Sequence, residues 1–243
     1  MATWEFPETN PIDLDVSLPT GSITIAAEPA EVISVSLLPG QPGQPGHRDD
    51  EAVADVRVEY HAGRLEIAES MPLGLLRRDH GFDLAVRLPA DSRCTVRTRS
   101  SAITCQGQLG ALDVKTATGS VRAAEVAGPV QVSAISASVR VDHAAAEVNV
   151  RTASGNIELE RVGGNVTAVT ASGRIQIGTA AASVTARTSS GHIRIGSVRT
   201  GDAELTGVSG DITVGVAPGV GVLPRPRLRH RPGQQRACPV RAR

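Results

Sequence analysis

Three acidic side chains, Asp142, Glu158 and Glu160, are placed so that a chain folding back on itself every 18 residues would gather them. Paired carboxylates across a groove are the equipment of glycoside hydrolysis, one acting as proton donor and the other as base or nucleophile. The column holding Glu158 offers Arg140 on one side and Gln176 on the other, not a second carboxylate, and no aromatic side chain stands near to receive a sugar ring. A solvated charged face is therefore the first expectation, and a carbohydrate-binding or carbohydrate-active protein the alternative. His47, His61, His80, His143, His192 and His230 are scattered without metal-ligand spacing. Neither a Gly-Lys-Ser/Thr phosphate loop nor Gly-x-Ser-x-Gly occurs. No catalytic residue, cofactor or metal is expected, and the protein is read as a non-enzyme.

A second candidate is electrostatic. Arg97, Lys115, Arg151 and Arg187 recur in one column, with Ser133 and Val169 between them. Their parity opposes that of the neighbouring valines, so the column points outward as a sparse basic stripe and a candidate interaction surface. Cys94, Cys105 and Cys238 are an odd number without a Cys-x-x-Cys pair, and Cys105 falls at an aliphatic position, which predicts a buried thiol.

What must position these residues is a repeat. A Ser-Gly-like doublet recurs at Ser100-Ser101, Thr118-Gly119, Ser136-Ala137, Ser154-Gly155, Ser172-Gly173, Ser190-Gly191 and Ser209-Gly210, at intervals of 18 residues and finally 19. Behind it run two aliphatic columns, from Ile103 to Ile212 and from Cys105 to Val214. Ahead of it run two more, from Leu112 to Val184 and from Val114 to Ala186. Alternation on both sides of the doublet predicts two short strands per copy, each with one buried face, and the Gly supplies a positive φ between them. Eighteen residues cannot bury a face alone, so the copies must stack. The expected fold is an all-β, single-domain, β-helix-like solenoid of about 18-residue rungs without helix. A column at Thr98, Thr116, Thr152, Thr170 and Thr188 shares the inward parity and predicts hydroxyl ladders at the strand ends; ice binding would need outward Thr columns.

Composition agrees. Only four of 243 residues are aromatic, Trp4, Phe6, Tyr60 and Phe82, all ahead of the regular repeats. A core of stacked rungs admits Val, Ile, Leu and Ala more readily than rings. Residues 1–93 read as N-terminal capping rungs with insertions at 39–52 and 71–81, in which Gly21-Ser-Ile-Thr-Ile and Gly63-Arg-Leu-Glu-Ile resemble the second strand of the repeat. Residues 94–216 form the regular solenoid. Residues 217–243 contain seven Arg, five Pro and no acid, and are expected to be a disordered basic tail with at most weak, non-specific nucleic-acid binding. A shift of reading frame in GC-rich codons accounts for the same composition. Without the tail the body carries 18 basic and 25 acidic residues.

The repeat columns, the Gly21-Ser-Ile-Thr-Ile start and the Ser-Gly-x-Ile-x-Ile rungs resemble a bacterial family of unknown function, β-strand-repeat proteins with an adhesin label related to toastrack-type domains. The resemblance spans roughly residues 10–215. Its adhesin label implies display outside the cell, and it carries over no catalytic residue; the rigid repeated faces themselves point to a non-enzymatic scaffold that engages an unidentified protein partner. The start of the chain lacks the basic and apolar regions of a secretory signal, and no run approaches the ~20 apolar residues of a membrane span. The expected place is the cytoplasm, with envelope association through a partner as the alternative. An open strand edge at Ile212 and Val214 predicts self-association through the last rung.

Overall fold

The computed structural model describes residues 2–39, 56–69 and 81–215. Among them no helix occurs. The insertions expected at 39–52 and 71–81, apart from Pro39 and Gly81, and the expected tail at 217–243 lie outside the described residues.

The repeats form a parallel β-solenoid. The first three regular rungs are the long strands β8 (Arg93–Leu109), β9 (Ala111–Val126) and β10 (Val130–Ala144). From there each rung divides in two. One face continues through β11 (Val148–Ser154), β13 (Val166–Ser172), β15 (Val184–Ser190) and β17 (Ala203–Ser209). The other continues through β12 (Ile157–Val162), β14 (Ile175–Ala180), β16 (Ile193–Val198) and β18 (Ile212–Val214). Register follows the sequence period, with Val130 on Val148, Val148 on Val166 and Val166 on Val184. The strand pair expected in every rung is thus fused in β8–β10. In β8 and β10 the corner doublets Ser100-Ser101 and Ser136-Ala137 lack the positive-φ Gly, whereas in β9 Gly119 has φ of 127°; in all three the ladder runs through the bend.

All four predicted columns point inward. Ile103, Val121, Val139, Ile157, Ile175 and Ile193 are at most 1% exposed, and the other three columns are equally buried through their interior rungs. A fifth inward column, Leu109, Val126, Ala144, Val162 and Ala180, was not legible in the alternation. It sits three residues beyond the last alternating position, where the chain turns out of the strand and period two fails. Beyond it the turn stays hydrogen-bonded from rung to rung, with Ala145 N–H donating to Val126 O, Gly163 to Ala144 O and Ala181 to Val162 O, at 2.8 to 2.9 Å. Continuous pairing around the rung leaves few buried backbone groups unmet. Cys94 and Cys105 lie inside, free and buried, and burial pushes the Cys105 thiol up to about 12. At neutral pH it is a small apolar filler without thiolate character.

The Thr column departs from expectation. Its hydroxyls do not ladder with one another. Thr116, Thr152 and Thr170 each donate to the carbonyl two residues ahead, of Thr118, Ser154 and Ser172, at 2.8, 3.0 and 3.2 Å. Each Thr clips the strand end into its corner, and the side chain two residues on, Thr118, Ser154 or Ser172, turns out to solvent. Thr188 is equally buried, yet its Oγ1 has no hydrogen-bond partner. The isosteric change Thr152→Val should then cost about 1 kcal/mol, while Thr188→Val should be neutral or stabilising, because it removes an unmet buried hydroxyl. Equal urea midpoints for the two variants would contradict this.

The N-terminal region is built out of sequence order. Strands β2 (Asp13–Ser17) and β3 (Thr20–Ala27) make one rung that lies directly on β8. Strands β6 (Arg64–Glu69) and β7 (Phe82–Leu88) lie on its other side. The chain therefore lays down rung 13–27, moves outward to 64–88, and returns inside at 93. The strand after Gly63 stacks on β2, so it belongs to the first strand column and not, as its sequence suggests, the second. Antiparallel strands finish this end: β5 (Val56–His61) on β6, β4 (Val32–Pro39) on β7, and β1 (Ala2–Pro7) on β4.

Rings are confined here. Phe82 is buried, and Phe6 meets Tyr60 with centroids 5.3 Å apart. The Tyr60 hydroxyl donates to Glu8 Oε2 at 2.7 Å, joining the edge strands of the two faces. Hydrogen bonds from the Asn10 backbone, from Tyr60 and from the Asn10 amide hold the Glu8 carboxyl down at about 2, against an ordinary 4.5. Since the folded value is the lower one, the stability Glu8 contributes is complete above pH 4.5 and is lost as pH falls toward 2. Fluorescence of Trp4, in neighbouring β1, should report loosening of this end in that window, and Glu8→Gln should abolish the dependence. An unchanged acid profile in the variant would refute the link.

Candidate functional site

Because every rung repeats the same alternation, outward side chains are also stacked into columns, and the solenoid's faces are its functional candidates. On the first face the predicted stripe is real in register: Arg97 pairs with Lys115, Lys115 with Ser133, Ser133 with Arg151, Arg151 with Val169, and Val169 with Arg187. The four cations differ in their surroundings. Arg97 donates to Asp15, which also receives Arg64, and Arg187 donates to Glu204 at 3.0 Å. Lys115 and Arg151 are exposed and have no acidic partner among the described residues. Two rungs separate them, about 9–10 Å at ordinary strand spacing. Beside the stripe runs a parallel column, Thr95, Asp113, Gln131, Asn149, Thr167 and Thr185. Asp113 Oδ1 in it is buried without a hydrogen-bond partner.

On the second face the structure gathers the three carboxylates around a single cation. Arg140 lies 2.9 Å from Asp142, 3.2 Å from Glu158 and 3.6 Å from Glu160. The pairs hold the Arg140 guanidinium above its usual range, Asp142 contributing most. Sequence alone placed Arg140 in the Glu158 column, but it did not show one guanidinium reaching all three acids. A carboxylate engaged this way is an ion-pair partner first; the groove with two opposed carboxyl groups that glycoside hydrolysis needs is not what the three acids form. The pairs are half-exposed, so each contributes little to stability.

Elsewhere the described residues offer little concavity. An open cleft of about 470 Å³ lies among Glu5, Glu28, Glu31, Val32, Ser34 and Arg87 at the N-terminal end. Among the described residues no group of three or more His, Cys, Asp or Glu is placed to hold a metal ion, and no helix is long and apolar enough to cross a membrane. The buried Thr column cannot present the outward hydroxyl array that ice binding needs. At the C-terminal end Ile212 and Val214 are only partly covered, unlike their counterparts in earlier rungs.

Comparison with known proteins supports the architecture. A family model described as Toastrack DUF4097 matches residues 12–219. The crystal structure of a "putative adhesin" from Bacteroides fragilis is similar at 15% identity and a TM-score of 0.60, over 89% of this chain and 96% of that one. One of the same description from Parabacteroides distasonis has 12% identity and a TM-score of 0.47 over the same shares. No curated protein matches the chain.

Proposed function

Since the chain belongs to the Toastrack DUF4097 family, we propose that it is a non-enzymatic, adhesin-like scaffold whose first face engages an acidic protein surface through Lys115 and Arg151. The observation that carries this is the pair of cations, without an acidic partner among the described residues, held two rungs apart on a parallel sheet. Their carrier is rigid, because each strand is hydrogen-bonded on both sides and packed on a dry aliphatic centre. Little ordering cost attends binding by a preformed face. Arg97 and Arg187 flank the pair and extend the stripe, since exposed ion pairs such as Arg187 with Glu204 exchange partners at small cost. The adhesin name of the Bacteroides fragilis neighbour is consistent with such a role.

Affinity capture from the native cell, with mass spectrometry, tests the proposal. The doubly substituted Lys115→Glu, Arg151→Glu protein should lose partners that the wild-type chain retains, and the identity of those partners separates a cytoplasmic from an envelope setting. Capture of the same proteins by both would refute the basic face as the binding surface. Hydrolysis of a polysaccharide by the wild type, lost in Glu158→Gln, would replace the scaffold by the enzyme.

A further inference from the structure

The two ends of the solenoid are finished differently. The N-terminal end closes with antiparallel β5, β4 and β1 and with the Phe6–Tyr60 contact. At the other end β17 pairs with β15 and β18 with β16, and among the described residues neither has a second neighbour. Leu205, Ile212 and Val214 are partly exposed, although Ala186, Ile193 and Ile195 one rung earlier are at most 1% exposed. Val208, on the outward side of β17, is 80% exposed. A free parallel edge of this kind pairs readily with another strand.

We propose that the edge formed by β17 and β18 is a two-fold interface between two copies of this chain. Shape argues for a second copy: a partner must present a strand, a corner and a second strand on the same cross-section, which another C-terminal rung does. The N-terminal end does not offer it, because its outermost strands, β1 running with the repeats and β5 against them, are not joined by a corner into one rung. Side-chain complementarity agrees. Antiparallel pairing of β17 with itself, centred on Thr206, sets Leu205 opposite Gly207 of the second copy, so the larger inward side chain meets the smallest. It also sets Glu204 opposite Val208, so no like charges face one another. Ile212 and Val214 then complete the inward columns across the joint. The interface is isologous, and it closes at two copies rather than extending into a fibre.

The two-fold position makes the test specific. Thr206 points outward, and in the dimer it faces its own copy. Sedimentation equilibrium of the full chain should show a concentration-dependent dimer. Thr206→Lys and Thr206→Glu each place like charges together, and each should weaken association at least about tenfold, equivalent to about 1.4 kcal/mol. Mixing the two variants should restore it, as Lys meets Glu. A wild type that stays monomeric at every concentration overturns the proposal. So does dimerisation unaffected by either charge, or a mixture that fails to associate. A monomer whose β17 amides resist hydrogen exchange also overturns it, by placing the chain's own residues 216–243 on the edge.

Discussion

Valine in place of Gly155 should destabilise the protein by more than about 3 kcal/mol, one of the largest effects of any single substitution in the repeats. Gly155 has φ of 142°, and a β-carbon on it would lie 2.0 Å from the carbonyl oxygen of Ala137 in the preceding rung. Both obstacles are backbone, so neither yields by a rotamer change. The contact is close because the corners stack at the spacing of the strands, and the next rungs hang from this one through β13 and β14. Stability in a stacked array is roughly the sum of rung and interface contributions, so the C-terminal rungs should unfold first and at lower urea. Ala137 occupies the same column without a positive φ, and Ala137→Gly should stay within about 1 kcal/mol of wild type. A Gly155→Val protein with the wild-type urea midpoint by circular dichroism would refute the stacked corner.

The second large effect concerns the core. Ile175 is fully buried between Ile157 and Ile193. Truncation to alanine leaves a hole that a hydrogen-bonded rung cannot close, at a cost of about 2–5 kcal/mol. Ile212 belongs to the same column but ends it, partly exposed. Ile212→Ala, measured in dilute protein where dimers dissociate, should cost less, about 1–2 kcal/mol, since the side chain is partly exposed and the hole it leaves opens to solvent. Chemical denaturation of both variants checks the gradient; equal losses would mean that the last rung is as well covered as the middle of the stack.

Arg140 shows where chemistry in such a chain is decided. Asp142, Glu158 and Glu160 look like candidate catalytic acids as a list of residues, and they become one cation's ligands once the rungs are stacked. Column membership was legible, because 18-residue register is a property of the repeat. Reach was not: a guanidinium spans neighbouring columns, and which acid it meets depends on rotamers and local twist. The same holds for the basic stripe, in which Asp15 and Glu204 occupy two of the four cations.

By itself the sequence determined the rung: four inward columns, the glycine corners, the absence of rings from the repeats, and the burial of Cys105. These follow from period-two alternation, a local property that survives in any stack of like rungs. Tertiary structure alone decided the order of the N-terminal rungs, the stacking partner of the strand after Gly63, the fifth inward column and the clipping role of the Thr hydroxyls. Pairings such as Leu14 on Cys94, 80 residues apart, are indistinguishable locally from pairings with the next rung. Competition between whole faces for burial selects them, and that competition exists only in the folded molecule.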